Sequence, residues 1–275
     1  MKFITFFMCI MSALSAQQYE LSICTIFRND AKYLPEWIDF HRNQGVDHFY
    51  LYDNLSNDHP EDILRHYLRD GSVTLIDWPY ESNAQDDWNK IQCDSYMHCV
   101  KKYGSKTRWM AFLDTDEFLF CPDKTDLRKL LVDYREFGSV SAFWMMYGTS
   151  HCYVPESEKL TDHLVWRATD DNPAHKTMKT IAQPKYIANI VNPHYVIHSC
   201  GKINNQFLHE KLRINHYWSR DLSFFYNVKL PRREKWYNDR QGQIFMESQM
   251  NDIYDPILSL HNSYVIDLFF DNEKI

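Results

Sequence analysis

The chain has 275 residues, of which 44% are hydrophobic, 16% aromatic and 24% charged. This composition excludes an intrinsically disordered or fibrous protein, because neither class carries enough apolar side chains to build a packed core. The 30 lysines and arginines against 37 aspartates and glutamates leave a net charge of −7. That charge argues against an extensive nucleic-acid-binding surface, so we expect no nucleic acid among the partners.

Glycine is scarce, with 7 residues in the whole chain, and no two of them stand in a Gly-x-Gly pattern. This excludes the dinucleotide-binding fingerprint and the phosphate-binding loop, both of which need closely spaced glycines. The Gly-x-Ser-x-Gly turn of many hydrolases is also missing from the sequence. A protein of this sequence that binds phosphate must therefore do so through a metal ion or through side-chain cations.

Residues 1–16 read MKFITFFMCIMSALSA, a basic start followed by an apolar run and small residues. The run is too short for a comfortable bilayer span of about 20 residues, and we interpret it as a signal peptide cut near Ser15 or Ala16. The protein would then be exported or luminal, and would touch a membrane only if the segment stays uncleaved. A short anchor or a buried first strand are the alternatives. Disulfides or buried thiols both remain possible for the other cysteines, which are Cys24, Cys93, Cys99, Cys121, Cys152 and Cys200.

The segments that follow alternate between strand-like and helix-like patterns. We predict strands over 20–27, 48–52 and 73–78, within 108–120, and over 139–147, from runs of β-branched and aromatic residues. We predict helices from Leu34 to Gly45, from Pro60 to Gly71, over about 85–103 and over 127–137, from apolar spacing and from proline and glycine at the ends. Strict alternation predicts an α/β fold, a doubly wound and mostly parallel sheet covered on both faces.

Polar residues stand where four of these strands end. They are Arg28-Asn29-Asp30, Asp53-Asn54, Asp77 and Asp114-Thr115-Asp116. Sheets of this kind bind ligands outside the carboxyl ends of their strands. We therefore expect these residues to line a ligand site.

The sharpest local feature is the segment FLDTDEF around Asp114 and Asp116. In an extended chain, residues two apart point to the same side, so these two carboxylates could converge on one ion. Paired carboxylates suit Mn²⁺ or Mg²⁺, whose remaining positions are filled by water and substrate phosphate. The pattern also occurs by chance at solvated strand ends, and only its place on the ligand edge makes it informative.

Several stretches in order resemble glycosyltransferase family 92 and its family 2-like relatives of the GT-A fold. They are ICTIFRNDAKYLPEWIDFHRNQGVDHFYLYDNLSND, Gln92, RWMAFLDTDEFLF, INHYWSRDLSFF and KLPR, together spanning about residues 21–232. Arg233 stands where the family has a glycine. The resemblance implies a metal-dependent transferase that moves a sugar from a nucleotide-sugar, usually a UDP-sugar, to a hydroxyl of a glycan or other acceptor.

The resemblance also implies roles for individual residues. Asp114 and Asp116 would hold Mn²⁺ (or Mg²⁺) on the diphosphate, with His216 as the third ligand and His194 as the other candidate. For His194, a buried histidine held by a backbone hydrogen bond is the favoured interpretation. The residues expected around the nucleotide are Arg28, Asn29, Asp53 and Asn54.

Other roles are assigned less sharply by the sequence. Phosphate could be met by one or two of Lys176, Lys179, Lys229 and Arg232. An inverting reaction needs a carboxylate base in the second half, and the candidates are Glu156, Glu158, Asp162, Asp170 and Asp171. Aromatic side chains could stack on an acceptor sugar, with Trp218 a better candidate than Trp144, which we expect in the core.

We expect one GT-A domain over 17–275, with a nucleotide half over 17–137 and an acceptor half over 138–275. Two alternatives stay open. An inactive GT-A-like protein would bind glycans without turnover. A zinc protein could use His194, His198 and Cys200 as ligands, although no Cys-x-x-Cys partner accompanies them.

Overall fold

The computed structural model describes residues 17–154, 159–199 and 205–260. Its strands are β1 (Tyr19–Phe27), β2 (His48–Asp53), β3 (Val73–Asp77), β4 (Thr107–Phe112), β5 (Glu117–Phe120), β6 (Ser139–Met146), β7 (Trp166–Arg167), β8 (Met178–Ala182), β9 (Ile187–Asn192), β10 (Tyr195–His198), β11 (Asn205–Phe207), β12 (Arg213–His216) and β13 (Ile253–Tyr254). Its α-helices are α1 (Leu34–Asn43), α2 (Pro60–Ile63), α3 (Arg65–Arg69), α4 (Gln85–Tyr103), α5 (Leu127–Val132), α6 (Leu160–His163), α7 (Leu222–Phe224), α8 (Leu230–Tyr237) and α9 (Arg240–Ser248).

Nine strands form one sheet in the order β3-β2-β1-β4-β8-β6-β12-β5, with β11 paired to β6. The first four neighbours in that order are parallel, and antiparallel pairs join β4 to β8, β8 to β6 and β12 to β5. The predicted doubly wound, mostly parallel α/β sheet is therefore confirmed.

The two faces of β1 pack against different helices. Leu21 and Ile23 join the core that contains Trp37 of α1, whereas Cys24 joins a second core with Tyr96 of α4. This follows from the two-residue period of a strand, which sends alternate side chains to opposite faces. Both faces are covered, so β1 is buried from Leu21 to Phe27.

Two predicted helices need correction. The helix predicted from Pro60 is two short helices, α2 and α3, which are separated by a single residue, Leu64. The helix predicted over 127–137 ends at Val132. The strand predicted within 108–120 is found as β4, and a further strand, β5, follows it after a turn that carries the carboxylate pair.

The first 16 residues lie outside the described part of the chain, so the signal-peptide prediction stays a prediction. Among the described residues, no helix has the length and apolar character needed to cross a bilayer. Cys24, Cys93, Cys99 and Cys121 are buried free thiols, and Cys200 lies outside the described residues.

Candidate active site

A cavity of about 300 Å³ opens at the carboxyl ends of β1 and β4. These strands are neighbours in the sheet, but the chain leaves β1 toward β2 on one side and reaches β4 on the other. Such a reversal of strand order is where open α/β sheets bind ligands. The polar part of the lining is Arg28, Asp30, Gln85, Asn89, Gln92, Asp114, Thr115, Asp116, His194, His216, Lys229, Arg232 and Arg233.

The turn between β4 and β5 brings both aspartates to this cavity. The Glu117 amide donates to the Asp114 carbonyl (3.1 Å), and the buried Glu117 carboxylate accepts from the Asp114 amide (3.0 Å). The prediction that Asp114 and Asp116 share one side of an extended chain is therefore wrong about the backbone. Both carboxylates line the cavity because a turn, not a strand, presents them.

Asp114 is held by one amide and one cation. Gln92 of α4 donates to its Oδ1 (2.6 Å), and the Lys179 ammonium lies 2.9 Å from its Oδ2. Lys179 is 1% exposed and also lies 3.5 Å from Glu117. Burial raises the pKa of Asp114, but Lys179 outweighs it and keeps the pKa below its ordinary value. Lys179, one of the predicted phosphate contacts, is thus already paired with Asp114 and Glu117 beneath the cavity.

Asp116 has different neighbours. Its Oδ1 lies 3.3 Å from Nε2 of His216, and its Oδ2 lies 3.5 Å from the Lys229 ammonium. Burial raises the pKa of Asp116, yet Lys229 and His216 together lower it well below the ordinary value. Lys229 and His216 therefore favour the anionic form of Asp116.

The Asp116–His216 pair fits one edge of an octahedral metal ion. Two ligands at about 2.1 Å and at right angles lie about 3.0 Å apart, close to the 3.3 Å between these two atoms. The described residues contain no group of three or more His, Cys, Asp or Glu side chains arranged to hold a metal. The remaining positions would fall to phosphate and water, as is usual for Mg²⁺-type sites.

A buried arginine fixes the turn between the aspartates. The Arg220 guanidinium donates to Asp30 (2.6 Å) and to the Thr115 hydroxyl (3.1 Å), and that hydroxyl donates to the other oxygen of Asp30 (2.6 Å). Arg220 is 2% exposed and lies between the rings of Tyr33 and Phe224, 3.8 and 4.6 Å from their centroids. No role was predicted for Arg220, whose place in the NHYWSRD stretch is its only signal in the sequence.

Two cations approach the cavity, one from the segment before α8 and one from the first turn of α8. Lys229 ends a π-helical segment, Phe225–Lys229, an irregularity that is common at functional sites. Burial lowers the pKa of Lys229 to about 8. Arg232 is half-buried and forms no ion pair within the described residues. Burial, with the nearby Arg220 and Arg28, lowers the pKa of Arg232.

Arg28, Lys229 and Arg232 are the predicted nucleotide-sugar contacts that line the cavity, and the Arg28 guanidinium lies 3.5 Å from Glu81. Asn54 is fully buried and donates to the Trp78 and Tyr80 carbonyls (both 2.8 Å). Asp53 and Asn29 accept from backbone amides of the loop that follows β2, those of Ser56 (3.0 Å) and Asn57 (2.8 Å) respectively. These three side chains shape the strand ends and are not brought to the cavity.

Among the described residues, no candidate base lines the cavity. Glu156 and Glu158 lie outside the described residues. Asp162 lines a larger hollow of about 810 Å³ beside α1. Asp170 and Asp171 are exposed, and Asp170 pairs with Arg167 (2.7 Å). Within the described part of the chain, the carboxylates on the cavity lining are Asp30, Asp114 and Asp116.

Aromatic rings enclose the acceptor-half side of the cavity. Trp144 lies against His216 (centroids 4.2 Å apart) and His194 (5.2 Å), and it lines the cavity although we expected it in the core. Trp218 also lines the cavity, with the Lys229 ammonium 5.0 Å from its ring. His194 holds the expected backbone hydrogen bond, from its Nδ1 to the Met178 carbonyl (3.2 Å).

The chain is similar to several known proteins. A glycosyltransferase family 92 protein of Arabidopsis thaliana is 26% identical over 247 residues, which are 83% of this chain and 41% of that protein. The beta-1,4-galactosyltransferase galt-1 of Caenorhabditis elegans is 29% identical over 106 residues, 36% of this chain and 25% of that protein. Among solved structures, S. aureus TarS (residues 1–349) has 12% identity and a TM-score of 0.46, covering 84% of this chain and 70% of that one.

The chain thus spans well under half the length of the curated relatives it matches. The family model "Glycosyltransferase family 92" matches residues 17–258, nearly all of the chain beyond the N-terminal segment. The predicted resemblance is confirmed, and the chain belongs to glycosyltransferase family 92.

Proposed function

We propose that this protein transfers a sugar from a UDP-sugar to a hydroxyl of a glycan acceptor, with a divalent cation bound at Asp116. The family match supports the reaction class. The observation that carries the proposal is the charge arrangement of the cavity, in which Arg232 faces the site without a counter-ion among the described residues. A half-buried guanidinium of this kind is well suited to a phosphate, which it can bind through two parallel hydrogen bonds.

The carboxylates already present in the cavity do not serve as counter-ions to Arg232. Asp30 is neutralised by Arg220, and Asp114 by Lys179. Asp116 has only the long contact to Lys229 and the contact to His216. A diphosphate entering the cavity would therefore meet Arg232, Lys229 and, at the rim, Arg28.

Asp116 and His216 would hold the cation, and Mn²⁺ suits their mixed oxygen and nitrogen donors. When bound, such an ion neutralises the negative charge that grows on the departing diphosphate. The side chains of this protein contribute the rest. Arg232 and Lys229 stabilise the same charge by hydrogen bonding, and Gln92 with Lys179 holds Asp114 in place.

Galactose is the sugar we propose first. The relatives with specific names are galactosyltransferases, including the Arabidopsis galactan beta-1,4-galactosyltransferase GALS2, 28% identical over 123 residues, 44% of this chain and 24% of that protein. The aromatic rings of Trp144 and Trp218 offer apolar faces for the donor or acceptor sugar.

The test is a screen of UDP- and GDP-sugars with Mn²⁺ and galactose-containing oligosaccharides, scored by nucleotide release and by mass of the product. We expect turnover with UDP-galactose and its loss when the metal is chelated. The matched control is Lys235→Gln, an exposed α8 residue away from the cavity lining, which should keep native turnover. If the native protein releases no nucleotide from any donor, the proposed function is wrong.

A further inference from the structure

Transfer to a hydroxyl requires that the hydroxyl lose its proton, and the carboxylates of the cavity are already engaged. Arg220 and Thr115 occupy the two oxygens of Asp30. Every oxygen of Asp114 and Asp116 likewise has a donor or a cation within 3.5 Å. A proton acceptor on the described lining therefore has to be sought among the other titratable groups.

His194 meets the requirement for such a group. It lines the cavity, and its backbone is fixed by two hydrogen bonds, from its amide to Asn192 Oδ1 (2.9 Å) and from the Thr180 hydroxyl to its carbonyl (3.0 Å). The Met178 carbonyl can only accept a hydrogen bond, so Nδ1 of the ring must carry the proton that it donates there (3.2 Å). This tautomer leaves a lone pair on Nε2, which has no hydrogen-bond partner among the described residues.

The surroundings keep this imidazole neutral. The charged and titratable groups around it are Lys179 of β8, Asp114 of the β4–β5 turn and His216 of β12. Burial, reinforced by Lys179, lowers the pKa of His194 to about 4, whereas Asp114 acts in the opposite direction. A neutral imidazole with a free lone pair on Nε2 can accept a proton. Unlike a carboxylate, it places no negative charge beside the diphosphate.

We propose that His194 is the general base of the transfer reaction, an inference that rests on the proposed function. The acceptor hydroxyl gives its proton to Nε2, and its oxygen forms a bond to the anomeric carbon of the donor. The bond between that carbon and the β-phosphate oxygen breaks, and its electron pair leaves with UDP. The imidazolium then returns its proton to water. A single displacement of this kind inverts the anomeric configuration.

The decisive variant is His194→Asn, whose amide can still donate to the Met178 carbonyl but cannot accept a proton. General-base catalysis contributes about 10²- to 10⁴-fold, so we expect kcat to fall by that factor while the affinity for UDP changes less than threefold. His198→Asn on the same hairpin is the matched control, because His198 lies in β10 but not on the cavity lining. In a His194→Ala variant, added imidazole should restore part of the lost turnover.

Several results would overturn the proposal. They are turnover of His194→Asn within fivefold of native, a product with the donor's anomeric configuration, or a defect in His194→Asn that excess Mn²⁺ corrects, which would make His194 a metal ligand. If His194→Asn does not fold, absence of imidazole rescue in folded His194→Ala counts against the base. Failure of the proposed function is distinguishable, because the native protein would then transfer no sugar at all.

Discussion

Asp114 and Asp116 lie two residues apart, yet their neighbours differ in kind. Asp114 is bound to the buried Lys179, whereas Asp116 contacts His216 and Lys229 at the cavity. Neutralising Asp114 would leave the buried Lys179 ammonium with Glu117, 3.5 Å away, as its remaining ion-pair partner among the described residues. Neutralising Asp116 would not deprive a buried cation beneath the cavity of its partner, because the contacts of Asp116 are His216 and Lys229 at the cavity.

We therefore expect Asp114→Asn and Asp116→Asn both to abolish transfer, but with different effects on stability. Asp114→Asn should lower the free energy of unfolding by about 1–3 kcal/mol, the cost of an incompletely paired buried group. Asp116→Asn should fold with near-native stability and lose about 10²-fold or more in turnover. Urea unfolding and turnover at saturating donor measure the two effects. Native turnover in Asp116→Asn would contradict the metal-site assignment.

Arg232 offers a second prediction at this scale. Loss of a hydrogen bond to a charged group costs about 1.5–3 kcal/mol, so Arg232→Gln should weaken UDP binding by about 10- to 100-fold. Equilibrium dialysis with labelled UDP measures the change. Arg240→Gln is the control, because Arg240 pairs with Glu234 (2.9 Å) on the exposed end of α8 and α9. Equal affinities for the Arg232→Gln and Arg240→Gln variants would remove Arg232 from the diphosphate site.

At the scale of elements, the turn between β4 and β5 depends on residues that are distant in the chain. Arg220 follows β12, and Asp30 follows β1, so the Arg220–Asp30 ion pair joins the two ends of the folding unit across 190 residues. Thr115 is the point at which they meet on the turn. The two halves of the chain therefore build one site together.

This network predicts non-additive energetics. Lysine keeps the charge of Arg220 but cannot donate to Asp30 and Thr115 through one planar group, so Arg220→Lys should destabilise the fold by about 1–3 kcal/mol. In a double-mutant cycle with Thr115→Val, unfolding in urea should reveal a coupling of at least about 0.5 kcal/mol. Additive effects would show that the two residues act independently.

Elements with strong local signals were predictable from the sequence. The helix over 85–103 matches α4 because polar and acidic residues open it and Gly104 follows its last residue. Asp114 and Asp116 were predicted at the ligand edge because the apolar run before them ends there. The turn that presents them was not predictable, since Glu117 stabilises it through the Asp114 amide.

Roles that depend on distant contacts were also out of reach. Asn54 was predicted beside the nucleotide, but its amide satisfies the carbonyls of Trp78 and Tyr80, 24 and 26 residues away. No role was predicted for Arg220, because no residue near it in the sequence indicates that its side chain reaches Asp30. Lys179 was predicted as a phosphate contact, and only the sheet, which places β8 beside β4, shows it beneath Asp114.

For the whole molecule, buried histidines make stability depend on pH. His41 donates from Nδ1 to the Trp37 carbonyl (2.8 Å) and accepts from the Leu119 amide at Nε2 (3.1 Å), so protonation would break the second bond. Burial lowers the pKa of His41 to about 3, and that of His48 to about 4. In the unfolded chain both histidines have a pKa of about 6.5.

The unfolded state therefore binds protons below pH 6.5 that the folded state does not bind until about pH 4 or 3. Stability should fall as the pH falls through this window, by up to about 1.4 kcal/mol per pH unit for each histidine. His41→Gln keeps an acceptor for Leu119 and should flatten the slope between pH 6 and pH 5 in urea unfolding, whereas the exposed control His66→Gln should keep it. Equal slopes in all three proteins would contradict the assignment.

We propose above all that the cavity at the carboxyl ends of β1 and β4 holds the diphosphate of a nucleotide together with a divalent cation. Calorimetric titration of UDP into the native protein, with Mn²⁺ and again with a chelator, tests it most directly. We predict saturable binding of one UDP per chain with Mn²⁺, and an affinity at least about tenfold lower after chelation. Absence of UDP binding at millimolar concentration under both conditions, or equal binding of uridine without its phosphates, would contradict the claim.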